Sequence, residues 1–161
     1  MEQFQVFREK AQTKLKIADH MLTMTYPLVK DTKLLLVIME NLFLSLTYAM
    51  SSILYYERLF KRIPLFSDNF ESKFSIFKEK CINKYDIPQE YVRLLQNVKS
   101  TMMKHKKSPI EFERKGAFVI CSDSYKLRTI STSQIKDYIA KTKEFIQISS
   151  NITHKNEEIF R

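Results

Sequence analysis

The chain has 161 residues and a net charge of +9, with 44% hydrophobic and 28% charged residues, a balance that fits one globular domain and excludes a disordered polyelectrolyte. Its single glycine, Gly116, excludes the Gly-rich loops through which dinucleotide folds and phosphate-loop enzymes bring backbone up to a phosphate. It also argues against a β-rich fold full of tight turns. Twelve Phe and eight Tyr with no Trp assign much of the core to aromatic packing.

Residues 2–24 read as an amphipathic helix. Phe4, Phe7, Ala11, Leu15, Ala18 and Leu22 recur at spacings of three and four, which lines them along one stripe. Tyr26-Pro27 is expected to break this helix, because proline disfavours helical geometry in the residue before it. Asp31 is the expected N-cap of a second helix running to about Arg62. From Leu34 to Leu54 the only charge is Glu40. That window is long enough to span a bilayer, but a mid-helix carboxylate costs on the order of 3 kcal/mol in hydrocarbon. The expectation is therefore a central bundle helix covered on all sides, with Glu40 paired to a cation of another helix. A polar site built from Glu40, Asn41, Glu57 and Arg58 inside the bundle is the alternative.

Beyond Ile63-Pro64, Asp68 and Glu71 fit a capping box. They open a helix with Phe70, Phe74, Phe77 and Cys81 on one face, ending near Tyr85-Asp86. Pro88 suits the first turn of the next helix, which presents Tyr91, Leu94, Leu95, Val98 and Met102 and runs towards His105. Ser108-Pro109 closes it. Residues 117–130 read as a β-hairpin: a β-prone run at 117–121, a Ser122-Asp123-Ser124 turn, then alternation through Tyr125, Leu127 and Thr129. Thr132 or Ser133 caps a last helix with Ile135, Tyr138, Ile139, Thr142, Phe145, Ile146 and Ile148 on its buried face. The polar tail at 149–161 either frays or continues as helix. The expected fold is thus all-α, an up-and-down bundle of about five helices with a small β-hairpin before the last, in a single domain over 1–161.

Cys81 and Cys121, with no signal peptide ahead of them, read as reduced thiols of a cytoplasmic protein. His20, His105 and His154 are scattered without metal-ligand spacing, so neither a metal nor another cofactor is expected.

The charge is concentrated. Residues 99–128 hold eight Lys and Arg against three Asp and Glu, a net of +5. Such a local excess points to an anionic partner. Lys104, Lys106, Lys107, Arg114, Lys115, Lys126 and Arg128 are the candidate nucleic-acid contacts, for RNA ahead of DNA, with Phe112, Phe118 or Tyr125 available to stack on unpaired bases. A solvated helix end is the bland alternative, since cations there complement the helix dipole. An acidic protein or a lipid surface is a further alternative. A scaffold role within a larger complex, using exposed aromatics, remains a third class of function.

A helical bundle of this size, with a cation a few residues ahead of His105 on a late helix, resembles the HEPN superfamily. That family carries an arginine at the place where Lys99 stands. The resemblance implies a metal-independent, often dimeric ribonuclease with His105 as general acid or base and Lys99 steadying the developing charge. Lysine presents a point charge where arginine forks onto a phosphate, so the implication tilts towards an RNA-binding relative without activity. The blocks 54–58 and 105–115 also resemble uncharacterised archaeal proteins, a likeness that carries no function with it.

Overall fold

A helix as apolar as the stretch from Leu34 to Leu54 has to be covered, and the other elements are arranged to do so. The computed structural model describes residues 1–155. It comprises α1 (Gln3–His20), α2 (Tyr26–Val29), α3 (Lys33–Leu59), α4 (Phe70–Ile76), α5 (Gln89–Lys107), strands β1 (Ile110–Arg114), β2 (Ala117–Cys121) and β3 (Leu127–Ile130), and α6 (Thr132–Thr153). The protein is mostly helical, with one small antiparallel sheet in the order β1-β2-β3 placed before the last helix.

α3 lies at the centre, against α1, α4, α5 and α6. It is long and apolar enough to cross a membrane, yet 56% of its most apolar window is buried inside the bundle, so it serves as the core helix. Leu35, Ile38, Met39, Leu42, Leu46, Met50, Ile53 and Leu54 are fully or almost fully buried. The neighbours come close because small residues line the contacts. Ser45 Oγ donates to the Ala11 carbonyl of α1 (2.7 Å), Ser52 Oγ to the Phe4 carbonyl (3.0 Å), and Ser149 Oγ of α6 to the Ala49 carbonyl of α3 (3.0 Å).

Pro27 does not end the first helix. α1 passes through a π-helical turn at Met21–Thr25 directly into α2, and the chain leaves the helical path only at Lys30, which is left-handed (φ 56). The wider turn just upstream of the ring relieves the clash and the missing donor that proline brings to a regular helix. Other boundaries shift by a residue or two. Thr32 rather than Asp31 holds the N-cap position of α3, and Asp31 one residue earlier accepts from the Lys33 amide through Oδ1 (2.9 Å). Asn69 rather than Asp68 caps α4, accepting from the Ser72 amide (2.8 Å). Pro88 sits just before α5 rather than in its first turn, and Ser131 caps α6 through the Gln134 amide. α6 remains helical through Thr153, with Ser149, Ile152 and Thr153 buried. Residues 156–161 of the polar tail lie outside the described residues.

The largest departure concerns the sheet. The expected two-stranded hairpin at 117–130 is the inner and outer part of a three-stranded sheet whose first strand is Ile110–Arg114. The register pairs Arg114 with Ala117, which leaves Lys115 and Gly116 as a two-residue turn, both at positive φ (51 and 75). Such a turn matches the twist of the flanking strands and needs φ > 0 at both positions. The only glycine of the chain stands at one of them.

Glu40, expected in a buried pair, is exposed. The buried carboxylate of α3 is Glu57, 1% exposed. It accepts from Lys84 Nζ (2.7 Å) and the Tyr85 hydroxyl, and Arg62 Nε lies 3.2 Å away. Burial, followed by the Glu57 charge, pushes the nearby Cys81 thiol up to about 12, against a smaller opposing pull from Lys84. Cys81 is thus held as an unreactive core thiol. A second ionic anchor joins Lys73, 5% exposed, to Asp68 (2.7 Å). The Lys73 ammonium also lies over the Phe7 and Tyr55 rings, at 5.1 and 5.6 Å from their centroids, and those two rings stack.

Two outcomes follow from these anchors. In urea unfolding, Glu57→Gln should lower stability by about 2 kcal/mol, because the stranded Lys84 and Arg62 are each 38% exposed and reach water. The Lys84→Gln, Arg62→Gln pair should lower it by about 3–5 kcal/mol, because it leaves a buried carboxylate with no cation. Equal losses would contradict that asymmetry. The Asp68 carboxyl is held below its ordinary 3.8 by its hydrogen bond to Lys73 and by the Lys73 charge. Its contribution is present above pH 3.8 and is lost as pH falls through the lower folded value. Asp68 is 81% exposed, so Asp68→Asn should flatten the acid limb of the stability profile by less than about 1 kcal/mol.

Candidate nucleic-acid interface

α5 divides its circumference among three surroundings. Tyr91, Val92, Leu94, Leu95, Val98 and Met102 enter the core. Tyr91 is fixed there by its hydroxyl, which donates to Glu144 Oε2 of α6 (2.7 Å). Burial and then the Glu144 carboxylate raise that phenol above its ordinary range. A second row, Asn97, Thr101 and His105, is spaced by one helical turn and faces the underside of the sheet. Arg128 Nη1 of β3 donates to the Asn97 carbonyl (3.2 Å) and to Thr101 Oγ1 (2.7 Å). Glu111 of β1 accepts from His105 Nδ1, with both carboxylate oxygens within 3.0 Å.

The third row carries Ser100, Met103, Lys104 and Lys107. Together with Ser122, Asp123 and Ser124 of the β2–β3 turn it lines an open groove of about 440 Å³. That turn is closed by hydrogen bonds from the Ser122 amide to the Lys126 carbonyl (2.9 Å) and from the Lys126 amide to Ser122 Oγ (3.1 Å). Ser108, at the end of α5, ties the helix to the sheet. Its hydroxyl lies 2.7 Å from the Ile110 carbonyl and 2.8 Å from that of Cys121.

The candidate residues therefore separate into engaged and free groups. Lys99 lies off the basic end, over the Phe70 and Phe43 rings (4.8 and 5.6 Å), with its ammonium 3.9 Å from Glu71. His105 is held by Glu111, so different elements engage Lys99 and His105. Arg128 is half-buried and docks the sheet. Lys104, Lys106, Lys107, Arg114, Lys115 and Lys126 are exposed and form no ion pair among the described residues. Lys104, Lys106 and Lys107 crowd the last turn of α5, where the helix carbonyls favour cations. Arg114 and Lys115 stand at the β1–β2 turn.

Glu111, Asn97 and Thr101 were not among the sequence-derived candidates, although their placement decides which cations are free. The signal for Glu111 was the alternation of apolar and charged residues through Ile110-Glu111-Phe112-Glu113-Arg114, a period-two strand pattern. Counting the segment by net charge obscures it.

Among the described residues no three His, Cys, Asp or Glu side chains come together as a metal site would require. Compared with protein-family models, curated proteins and solved structures, the chain matches none.

If the two polar contacts dock the sheet on α5, Arg128→Met and His105→Ala should each lower stability by about 1–2 kcal/mol. Amide hydrogens of β1 and β3 should then exchange faster while those of α3 keep their protection. Unchanged strand exchange in both variants would show that neither contact carries the docking.

Proposed function

We propose that the protein binds nucleic acid, RNA in the first place, through the end of α5 and the adjoining sheet, and that it does so as a binding protein rather than as a nuclease. One observation carries this reading. Of the eight cations in residues 99–128, Lys99 and Arg128 are engaged within the fold, while the other six remain exposed around one helix end and the sheet that follows it. Uncompensated cations held close together by rigid elements raise the local potential, and a phosphate backbone relieves it by releasing condensed counterions. The binding-only form is supported by Lys99, whose ammonium rests over the Phe70 ring and 3.9 Å from Glu71 and is thereby engaged within the fold.

Binding of a labelled single-stranded RNA should weaken steeply with salt. The slope of log affinity against log salt should be about −0.7 per phosphate contacted. Replacing Lys104, Lys106 and Lys107 with Gln should reduce the slope by about 2, and replacing Lys99 should leave it unchanged. An affinity insensitive to the triple substitution would remove the basis of this reading.

A further inference from the structure

The register of the sheet sorts its side chains by charge as well as by polarity. Directly paired residues share a face. Pairing Glu111 with Ile120, Glu113 with Phe118, Ile120 with Arg128 and Phe118 with Ile130 puts both strand carboxylates on the underside, with the core-packing Phe118, Ile120 and Ile130. The opposite face carries Ile110, Phe112 and Arg114 of β1, Ala117, Val119 and Cys121 of β2, and Leu127 and Thr129 of β3. That outer face has no carboxylate. Its central strand is buried, with Val119 at 3% and Cys121 at 8% exposure. The flanking Ile110, Phe112 and Leu127 are 53%, 38% and 55% exposed. Tyr125, in the turn before β3, is 83% exposed with a left-handed backbone.

Charge decides what such a surface fits. Two copies stacked face to face about an axis along the strands would bring the Arg114 and Lys115 end of each against that of the other. Two copies joined edge to edge at β1, antiparallel and centred on Phe112, would set Glu111 opposite Glu113 twice, and like charges directly opposed are destabilising. A face with no strand carboxylate, the exposed Phe112 ring, and six free cations around it against the single acid Asp123 of the β2–β3 turn instead complements a polymer that is anionic along its backbone and offers flat apolar faces. Unpaired nucleic-acid bases supply those faces, and a duplex hides them.

We infer that the outer face of the sheet is a stacking platform for single-stranded nucleic acid, with a base on Phe112, apolar support from Ile110 and Leu127, and the flanking phosphates on Arg114, Lys115 and the lysines at the end of α5. This rests on the nucleic-acid reading above and narrows it to unpaired strands held by their bases.

The full chain has no tryptophan, so Phe112→Trp places a single reporter in the platform. Its fluorescence should be quenched by a 12-nucleotide oligo(A), and inorganic polyphosphate, which has charge but no bases, should leave it unchanged. Phe112→Ala should weaken oligo(A) binding on the order of tenfold while leaving polyphosphate binding as it was. If Phe112→Ala fails to fold, the Phe112→Trp titration decides alone. Should the parent protein bind oligo(A), an equal-length duplex and polyphosphate alike, with no quenching of the tryptophan, the platform is wrong and the electrostatic reading survives. Binding of none of the three would overturn both. A blue shift on phosphatidylserine vesicles without any response to oligo(A) would replace the base with a lipid surface and so overturn the inference.

Discussion

Everything in this molecule depends on covering α3. Each of its fully buried large side chains contributes roughly 1.5–3 kcal/mol by leaving water, whereas each serine hydroxyl that bridges it to a neighbour contributes about 1 kcal/mol. Burial therefore supplies the driving force, and the hydroxyls set the spacing. Ser45, Ser52 and Ser149 each donate to a carbonyl on an adjoining helix, so buried polar groups are satisfied while the backbones stay close. Ala11, Ala18 and Ala49, all at 1% exposure or less, leave room for the same approach. A helix that reads as a candidate membrane span by composition becomes a core helix because α1, α4, α5 and α6 bring enough apolar surface to it.

This arrangement leaves α5 with a free flank. It gives its apolar row to the core and still has two rows to dispose of. One becomes the bed for the sheet, through Thr101, His105 and the Asn97 carbonyl, and the other stays in solvent with Lys104 and Lys107. A three-stranded sheet of four- and five-residue strands is marginal without such support. The bed fixes the underside, and with a side-chain period of two, fixing one face also fixes the other. The composition of the outer face is thus a consequence of how α5 packs on α3.

Much of this was legible in the sequence. Apolar spacing located the helices and their buried faces, since the hydrophobic period survives whatever partner the helix finds. What was lost depended on contacts between distant segments or on local strain relief. Pro27 is a helix breaker by rule, and only the π-helical turn upstream makes it tolerable. Glu40 and Glu57 look equivalent along α3, but only Glu57 meets Lys84 and Tyr85, which arrive from beyond α4. The strand at Ile110–Arg114 carried a clean alternation, hidden because its charges were read as part of a basic run. The single glycine argues against a β-rich fold, in keeping with a mostly helical chain, and it stands in the two-residue turn between β1 and β2 at positive φ.

The basic segment shows most clearly why a charge count and a charged surface differ. Residues 99–128 have a net charge of +5, but that number treats Lys99, Arg128 and Lys104 alike. Packing separates them. Lys99 rests on two phenyl rings beside Glu71, and Arg128 is fastened beneath the sheet. The acids are separated as well, since Glu111 and Glu113 both fall on the underside by strand register. Removing two cations from solvent weakens the apparent excess. Removing the strand carboxylates from the outer face restores it there, because the cations left around that face have no acid of the strands beside them. The outer strand face is therefore free of carboxylates although Glu113 and Asp123 are themselves exposed, and it faces outward for the same reason that the sheet's other face is pinned to α5.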